Sequence, residues 1–521
     1  MTARSQPTDL LAMLRYAFTQ HWDRPALWKS GGTRAYGEVW TSASAIAESL
    51  AARLGVDQAV GILAQRSIAA YEGILGCVLA GRPYVPVNMK VPLERQLVMA
   101  ETARCGTFIS DAKSEARRRQ LSAELAQTDW RGQGGERGDS EVEQSEIVLK
   151  TPVKDDQVAY VMFTSGTTGT PKGVAVTRAN LAAYLQAIAE IAVIAPGARC
   201  TQLFDLSFDL SVHDIFRTWI GGGCLYIMED EETLDPVGFA RKHELECWFS
   251  VPSVVSVAKR LERLGDGSLP QLGLSLFCGE ALPTSTAEEW FRVAPNSRIL
   301  NLYGPTEATI AITAHEFRPG AYDGLATVPL GSAFSQSAAV ALNDAGNPVQ
   351  FGEVGELWLG GAQIAKGYIN NEAEPAQRFV SQRIEGYPYD HWYRTGDSVR
   401  ADRDHGLIFL GRRDHQLKIN GYRVELLDVE EALRFASDCS DVAAVAWPIS
   451  AEGAAEGVVG FVCGSHRAQR EIISTCRARL PSYMVPRQVL SVESIPVNSN
   501  GKVDRKALHR QYLELSVREE R

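Results

Sequence analysis

An apolar run at residues 158–163 leads directly into a loop rich in glycine, serine and threonine. The run predicts a buried strand. Gly166, Gly169 and Gly173 allow a tight turn and bring backbone N–H groups close to an anion, and Lys172 supplies a positive charge. A strand that ends in such a loop is typical of a phosphate-binding site.

The loop differs from the Walker A pattern of P-loop NTPases. That pattern requires a lysine followed by serine or threonine, whereas here Pro171 precedes Lys172 and Gly173 follows it. The hydroxyl groups that could donate to a phosphate belong to Thr164, Ser165, Thr167 and Thr168. A flexible surface loop is the alternative interpretation of this segment.

The composition of the 521 residues excludes several kinds of partner and site. A net charge of −10 argues against broad binding to nucleic acids or anionic membranes, which requires a basic surface. No apolar run approaches the roughly 18 residues of a membrane span, and residues 10–14 predict an amphipathic helix rather than a signal peptide. Nine cysteines without a Cys-x-x-Cys pair indicate reduced thiols, so we expect a cytoplasmic protein without a disulfide framework or zinc site.

Short apolar runs alternate with longer helical patterns along much of the chain. The strand-like runs lie at residues 59–63, 84–87, 158–163, 200–206, 247–251 and 274–278, and a helical pattern covers residues 179–192. This alternation predicts an α/β fold with mainly parallel sheets. A polar stretch around residues 130–146 has no periodicity and predicts a surface excursion.

The composition changes again near residues 409–418, where a charged segment with glycine precedes a compact tail of roughly 110 residues. We therefore expect two domains. Residues 1–411 would form a large N-terminal domain of α/β sheet subdomains, and residues 412–521 a small α+β C-terminal domain, with a hinge between them.

Three further segments carry side chains suited to a nucleotide site. In residues 301–310, Tyr303 could stack on a base, Thr306 could bond a phosphate and Glu307 could hold Mg²⁺. Asp397 follows a turn and could accept both hydroxyls of a ribose. Lys502 lies on a glycine loop near the C-terminus. Taken singly, each has an ordinary interpretation as a turn residue or a solvated charge.

Taken in order, these segments resemble the adenylate-forming superfamily. Further similar segments occur at residues 208–216, 276–283, 355–361, 411–425, 480–486 and 501–506. Over nearly its whole length the chain resembles a stand-alone amino-acid adenylation enzyme of the nonribosomal-peptide type. Within that group it is most similar to the D-alanine–carrier protein ligases, a resemblance that implies a small C-terminal domain that moves.

The resemblance implies a two-step reaction that uses ATP and Mg²⁺. An amino-acid carboxylate attacks the α-phosphate to give aminoacyl-AMP and pyrophosphate, and a phosphopantetheine thiol then attacks the acyl carbon and releases AMP. Such chemistry depends mainly on charge neutralisation and alignment. The ATP-binding residues that the resemblance implies are Thr164, Ser165, Gly166, Thr167, Thr168, Gly169, Lys172, Tyr303, Asp397 and Arg412.

The resemblance also implies a catalytic group made of Lys502, Thr306, Glu307 and Asp414. Thr306 and Glu307 would serve phosphate and metal. Lys502 would bridge the substrate carboxylate and the phosphate oxygens, since lysine carries a compact charge on a long stem. Asp414 would be the hinge about which the C-terminal domain rotates between the two half-reactions.

A substrate pocket follows from the same resemblance, with Lys502 at its carboxylate end. Its lining would be Asp209, Leu210, His213, Ser250, Leu276, Cys278, Leu302, Ile310 and Ala311. A buried ammonium without a counter-charge costs several kcal/mol, so the acid Asp209 indicates an α-amino acid rather than a fatty or aryl acid. The other walls are apolar or weakly polar and favour a small, mostly apolar amino acid.

Alanine is the first choice of substrate because Ser250 and Cys278 match the alanine-ligase pattern. Serine, glycine, proline and small nonproteinogenic amino acids are the alternatives, and the chirality stays open. His213 departs from the pattern, since the alanine ligases carry an apolar residue there. It either bonds a neighbour and caps the pocket, or contacts the substrate and favours a polar group.

The chain contains neither a phosphopantetheine-accepting motif nor a condensation motif. We therefore expect a discrete, phosphopantetheinylated carrier protein that acts in trans, without nucleic acid. Two rival functions share the fold: an acyl-CoA synthetase-like ligase and a catalytically inactive binding module. Asp209 argues against the first, and the filled positions Lys172, Glu307, Asp397 and Lys502 argue against the second.

Overall fold

The computed structural model describes residues 9–126, 154–164, 171–369, 378–413, 416–419, 422–448, 455–496 and 503–519. The described residues group into two compact units. The first comprises those within Met1–Met89, Met99–Phe163 and Gly173–Arg413, and the second those within Lys90–Val98, Thr164–Lys172 and Asp414–Arg521. The domain boundary between residues 411 and 412 stays a prediction, and the polar stretch at 130–146 lies outside the described residues.

The first part of the chain alternates strands with helices. In order, these are α1 (Leu10–Gln20), β1 (Pro25–Lys29), β2 (Gly32–Ala35), α2 (Tyr36–Arg53), β3 (Ala59–Ile62), α3 (Ile68–Ala80), β4 (Tyr84–Pro86), α4 (Leu93–Thr102), β5 (Cys105–Ile109), α5 (Glu115–Leu125), β6 (Val158–Thr164), β7 (Lys172–Thr177) and α6 (Arg178–Ile191). The helix predicted at residues 10–14 is confirmed as the start of α1. Asp9 caps it, because its carboxylate accepts the N–H of Ala12 at 2.8 Å.

The middle of the chain continues the alternation. Its elements are β8 (Arg199–Gln202), α7 (Leu210–Val212), a π-helical turn (His213–Arg217), α8 (Thr218–Ile220), β9 (Cys224–Ile227), a 3₁₀ turn (Glu232–Leu234), α9 (Pro236–Lys242), β10 (Cys247–Ser250), α10 (Pro252–Arg260), β11 (Leu274–Phe277), α11 (Thr284–Val293), β12 (Arg298–Tyr303), a second 3₁₀ turn (Thr306–Ala308) and β13 (Thr313–Glu316). The strand predicted at residues 200–206 was too long. It ends at Gln202, because Asp205 folds the chain into a turn by accepting the N–H of Ser207 at 3.0 Å.

Strands dominate the rest of the first unit, and the second unit is α+β. The elements are β14 (Ser332–Ala333), β15 (Ser337–Leu342), β16 (Val354–Gly361), β17 (Tyr368–Ile369), β18 (Phe379–Ser381), β19 (His391–Asp402), β20 (Gly406–Arg412), β21 (Gln416–Ile419), β22 (Tyr422–Glu425), α12 (Leu426–Ser437), β23 (Val442–Ala446), β24 (Val458–Cys463), α13 (Gln469–Arg479), a 3₁₀ turn (Ser482–Met484), β25 (Gln488–Val492) and α14 (Arg505–Glu519).

Three sheets of the first unit can be traced through the described strands. The largest has the order β14-β13-β12-β11-β10-β8-β9-β1-β2, the second has the order β17-β7-β6-β4-β3-β5, and the third has the order β15-β16-β19-β18 with β20 on β19. The central pairs of the first two sheets are parallel. The predicted α/β class is therefore confirmed, whereas the third sheet is antiparallel.

The second unit has its own core. Strands β23, β24 and β25 form a three-stranded sheet, and β21 pairs with β22. The helices α12 and α13 contribute Val429, Leu433 and Ile472 to a buried cluster that also contains Val462 of the sheet and Met484. This arrangement is the small α+β C-terminal domain that the sequence predicts.

Across the described ranges of the chain, no helix is both long enough and apolar enough to cross a bilayer.

Two glycines allow the backbone to cross itself where the first and third sheets meet. Gly331 precedes β14 and has a φ of +73°, and a Cβ there would overlap the carbonyl oxygen of Ala314. Gly406, which begins β20, has a φ of +75°, and its Cβ would overlap the carbonyl oxygen of Gly331. Leu407 donates its N–H to that same oxygen at 3.1 Å. Only glycine fits at both positions.

We predict that Gly331→Ala lowers the free energy of unfolding of the first unit by at least about 3 kcal/mol, because a backbone clash adds to the strain of a positive φ. Gly320→Ala is the matched control: Gly320 has a φ of +71°, but no atom lies within 4 Å of its Cβ position. Gly320→Ala should lower the free energy of unfolding by only about 1 kcal/mol. Urea denaturation measures both, and equal losses would contradict the close crossing.

Candidate active site

The predicted pocket residues converge on the carboxyl ends of neighbouring parallel strands. Ser250 ends β10, Cys278 directly follows β11 and Leu302 lies near the end of β12. The register is in step, since Phe249 of β10 pairs with Leu276 of β11. Carboxyl ends of parallel strands meet at one edge of a sheet, which is where open α/β sheets bind ligands.

The walls of this region are buried and mostly apolar. One hydrophobic cluster contains the predicted pocket residues Leu210, Leu276, Cys278, Leu302, Ile310 and Ala311. Ser250 is also buried, and its hydroxyl accepts the indole N–H of Trp248 at 2.8 Å and donates to the carbonyl of Val251 at 3.1 Å. Because the serine hydroxyl is bonded within the protein, this region presents mainly carbon and sulfur surface.

Asp209 is a buried acid of this region, with 8 % of its surface exposed. It directly precedes α7. The pKa values of three buried tyrosines, Tyr84, Tyr160 and Tyr184, are raised well above the usual value. Burial is the largest cause, and the electrostatic interaction with Asp209 contributes in each case. These phenols therefore stay protonated at neutral pH. A buried carboxylate among neutral phenols is complementary to a cation.

His213 lies one helical turn beyond Asp209, where the helix becomes a π-helical turn, a feature often found at functional sites. It is 3 % exposed, its Nδ1 lies 2.6 Å from the hydroxyl of Tyr184, and the ring of Phe249 packs edge-on against it at 4.7 Å. Burial, followed by the charge of Arg217, lowers the pKa of His213 to about 3. His213 is therefore neutral at pH 7 and bonded to a neighbour.

Glu307 is fully buried in the 3₁₀ turn that follows β12. Its Oε1 accepts the hydroxyl of Tyr368 at 2.7 Å, and its carbonyl accepts the N–H of Ala365 at 2.9 Å. Thr306 begins the same turn and is partly exposed. The hydroxyl of Tyr368, on strand β17, therefore fixes the orientation of the Glu307 carboxylate.

The chain after this turn is in an unusual conformation. Thr309 and Ile310 have φ values of +58° and +74°, which are uncommon for residues with a side chain. Thr309 is held there because its hydroxyl donates to the carbonyl of Gln363 at 2.6 Å. Gly304 faces this segment, and a Cβ at Gly304 would lie 2.6 Å from the Cα of Ala311. Such strain is often found at ligand sites.

Asp397, Arg412 and Tyr303 form one connected group. The carboxylate of Asp397 accepts Nη1 of Arg412 at 2.6 Å through Oδ1, and Oδ2 accepts the hydroxyl of Tyr303. Thr395 orients the group, since its hydroxyl accepts the N–H of Asp397 at 2.9 Å and its carbonyl accepts Arg412 at 3.0 Å. Burial, then Asp397, raises the pKa of Tyr303 well above its usual value. The structure thus brings together three residues predicted to bind ATP.

The rest of the predicted ATP site is described only in part. Thr164 ends β6, and Lys172 begins β7 with its side chain buried. The remaining predicted residues lie outside the described part of the chain: Ser165, Gly166, Thr167, Thr168, Gly169, Asp414 and Lys502.

Several residues of the site carry no sequence signal. Tyr184 reaches His213 from α6, and Tyr368 reaches Glu307 from β17. Gln363 holds the strained segment through its amide, which donates to the carbonyl of Ala311 at 2.7 Å. None of these residues lies in a segment that the sequence analysis assigned to the site, and each acts on a partner at least 29 residues away.

The fit of Mg²⁺ to these residues depends on Glu307. Within the described ranges, no group of three or more His, Cys, Asp or Glu side chains could hold a metal ion. Mg²⁺ is commonly held by one or two carboxylates together with substrate phosphates and water. The single buried carboxylate of Glu307, oriented by Tyr368, is consistent with that kind of site.

The chain is similar to known ligases and adenylation domains over most of its length. It is 29 % identical to the D-alanine–D-alanyl carrier protein ligase of Bacillus licheniformis, over 91 % of this chain and 93 % of that protein. The corresponding ligase of Bacillus cytotoxicus is 32 % identical over 83 % and 85 %. The crystal structure of the Vibrio cholerae adenylation domain AlmE in complex with glycyl-adenosine-5'-phosphate is 32 % identical, covers 99 % of both chains and gives a TM-score of 0.87.

Family models cover both parts of the chain. Residues 14–369 match the AMP-binding enzyme family, and residues 428–502 match the AMP-binding enzyme C-terminal domain. The first match includes the pocket edge, Glu307 and Tyr368. The chain therefore belongs to the AMP-binding enzyme family and is an ATP-dependent, AMP-forming ligase of the adenylate-forming superfamily.

Proposed function

We propose that this enzyme activates a small α-amino acid, with alanine as the first choice, and transfers it to the phosphopantetheine thiol of a separate carrier protein. The observation that carries this proposal is the buried carboxylate of Asp209 together with buried, mostly apolar pocket residues at the carboxyl ends of parallel strands. The similarity to D-alanine–D-alanyl carrier protein ligases and to an adenylation domain that holds glycyl-AMP supports it.

Asp209 would bind the α-ammonium of the substrate. A buried carboxylate and a bound ammonium compensate each other, whereas either one alone in this environment would be costly. The phenols of Tyr84, Tyr160 and Tyr184 are neutral, so they provide no positive charge that would replace the ammonium as the partner of Asp209. A fatty or aryl acid offers Asp209 no such partner, so the site favours amino acids.

The remaining walls would select an uncharged side chain of small size. Leu276, Cys278, Leu302 and Ala311 offer no ionic partner, and His213 is neutral at pH 7. Burying a charged side chain here would leave it uncompensated. Alanine therefore leads the list, and serine, glycine, proline and small nonproteinogenic amino acids follow.

Asp397 would bind the ribose of ATP. Each carboxylate oxygen can accept two hydrogen bonds, so the bonds from Arg412 and Tyr303 leave acceptor capacity for ribose hydroxyls. Arg412 fixes the direction of the carboxylate through its ion pair. The ring of Tyr303, held by the same carboxylate, would stack on the adenine.

The phosphates would be bound by Thr306, Lys172 and the loop at residues 164–169. Glu307 would hold Mg²⁺, which supplies positive charge to the phosphate oxygens. Lys502 would bridge the amino-acid carboxylate and the α-phosphate, and Asp414 would be the hinge that separates adenylation from thiol transfer. Together these groups neutralise charge and align the carboxylate with the phosphorus atom.

ATP–pyrophosphate exchange with a panel of amino acids tests the proposal. We expect the highest kcat/KM with D- or L-alanine, lower values with glycine, serine and proline, and no exchange with aspartate or lysine, because the pocket has no partner for a charged side chain. Formation of CoA thioesters from fatty acids, without amino-acid-dependent exchange, would contradict the proposal. Exchange with no amino acid of either hand would indicate an inactive binding module.

The ammonium site gives a second prediction. Asp209→Asn removes the charge at nearly constant volume, so kcat/KM for alanine should fall at least about 100-fold, since a buried charge without its partner costs about 3–5 kcal/mol. The KM for ATP should change little. Exchange kinetics measure both constants.

Asp214→Asn is the control for that variant. Asp214 is buried on the same helical segment and is not among the predicted pocket residues, and the change to asparagine keeps its volume nearly constant. It should keep nearly normal exchange. Equal losses in the two variants would show that Asp209 does not bind the ammonium.

Lys502 gives a test of the two half-reactions. Lys502→Ala should abolish amino-acid-dependent pyrophosphate exchange, because the charge that bridges carboxylate and phosphate is lost. Transfer of the aminoacyl group from preformed aminoacyl-AMP to a thiol should be largely unaffected. Single-turnover assays measure the two steps separately, and an equal loss in both would refute the role of Lys502.

A further inference from the structure

Asp209 and His213 lie on the same face of one helix. They are four residues apart, and Asp209, His213 and the residues of α7 between them are helical, with φ and ψ of −65° and −18° at Asp209 and −57° and −56° at His213. Residues four apart on a helix are neighbours on one face, separated by about 6 Å along the axis. An ammonium bound at Asp209 therefore places the substrate close to the His213 ring.

The His213 ring is fixed from two sides. The hydroxyl of Tyr184 lies 2.6 Å from Nδ1, and Phe249 packs edge-on with ring centroids 4.7 Å apart. Both Tyr184 and His213 are buried. Within the part of the chain that the structure describes, the contact with Tyr184 is the hydrogen bond that orients the His213 side chain.

Tyr184 lies close to the proposed pocket as well as to His213. Its hydroxyl lies 2.6 Å from Nδ1 of His213, one helical turn from Asp209, and after burial the electrostatic interactions with Cys278 and Asp209 contribute to its raised pKa. Tyr184 comes from α6, which is remote in sequence from both residues. It therefore connects a separate helix to the region that would contain the substrate side chain.

We propose that Tyr184 is a specificity-determining residue, because its hydroxyl fixes His213 as the end wall of the pocket, one helical turn from Asp209. The proposal rests on the proposed function. Its consequence is a limit on substrate shape and size: glycine, alanine and serine would fit between the ammonium site and the imidazole, whereas a β-branched side chain such as that of valine would collide with the ring. Tyr184 is a positioning residue, since it acts on the substrate through His213.

A ring without this bond would be free to adopt other rotamers. Tyr184→Phe keeps the aromatic packing and removes only the hydroxyl, so His213 could rotate away from a longer side chain. His213→Ala removes the wall itself. The two variants should therefore change selectivity in the same direction, with the larger change in His213→Ala.

The test is pyrophosphate exchange with glycine, alanine, 2-aminobutyrate and valine, by the wild-type enzyme and both variants. We expect the ratio of kcat/KM for valine to that for alanine to rise about 10-fold in Tyr184→Phe and about 10–200-fold in His213→Ala, the range that one or two methylene groups contribute in an apolar pocket. The KM for ATP should not change. His213→Val replaces His213→Ala if the latter does not fold.

The double variant Tyr184→Phe/His213→Ala measures whether Tyr184 acts through His213. Its selectivity should equal that of His213→Ala, since the hydroxyl has no ring left to hold. Tyr71→Phe is the matched control: Tyr71 is also buried, and its hydroxyl donates to the side chain of Gln202 at 2.8 Å. This change should lower stability without altering selectivity.

The outcomes separate this inference from the proposed function. Wild-type exchange with alanine together with an unchanged ranking in Tyr184→Phe would overturn the role of Tyr184 and leave the proposed function intact. A further shift on adding Tyr184→Phe to His213→Ala, or an equal shift in Tyr71→Phe, would also overturn it. Absence of exchange by the wild-type enzyme with every amino acid would overturn the proposed function, and this inference with it.

Discussion

The parallel register of β10, β11 and β12 determines where the residues of the candidate site lie. Because these strands run in step, the residues at their carboxyl ends meet at one edge of the largest sheet. Ser250, Cys278 and Leu302 are placed there by strand pairing rather than by any motif they share. The 3₁₀ turn with Glu307 follows the third of these strands. The same register therefore also determines the position of Glu307, the proposed metal ligand.

Protonated phenols recur around the buried acids of this enzyme. Asp209 lies among tyrosines whose pKa is raised, Glu307 accepts the hydroxyl of Tyr368, and Asp397 accepts that of Tyr303. A phenol orients a carboxylate without cancelling its charge, which an arginine or lysine at the same place would do. In the proposed function, the charges of Asp209 and Glu307 are therefore left for an ammonium and a metal, and Tyr368 directs the carboxylate of Glu307. Asp397 differs, because Arg412 also pairs with it.

Local patterns in the sequence predict the strands and helices well where an apolar run is bounded by polar residues, as at β10, β11 and α6. They fail where a side chain ends the strand early, as Asp205 does after β8. The family resemblance supplies Asp209, which by its own pattern is an ordinary polar residue. Neither source could find Tyr184 or Tyr368, because their roles depend on contacts with residues 29 and 61 positions away on other elements. Such contacts exist only once the tertiary fold brings the elements together.

In the proposed function, the buried carboxylate of Asp209 selects a small amino acid by binding its ammonium. A crystal structure of the enzyme with a non-hydrolysable alanyl-adenylate analogue would reveal this contact. We expect the ammonium at about 3 Å from a carboxylate oxygen of Asp209, the methyl group directed toward His213, and the ribose hydroxyls on Asp397. An ammonium bound elsewhere, with Asp209 facing only the protein, would contradict it.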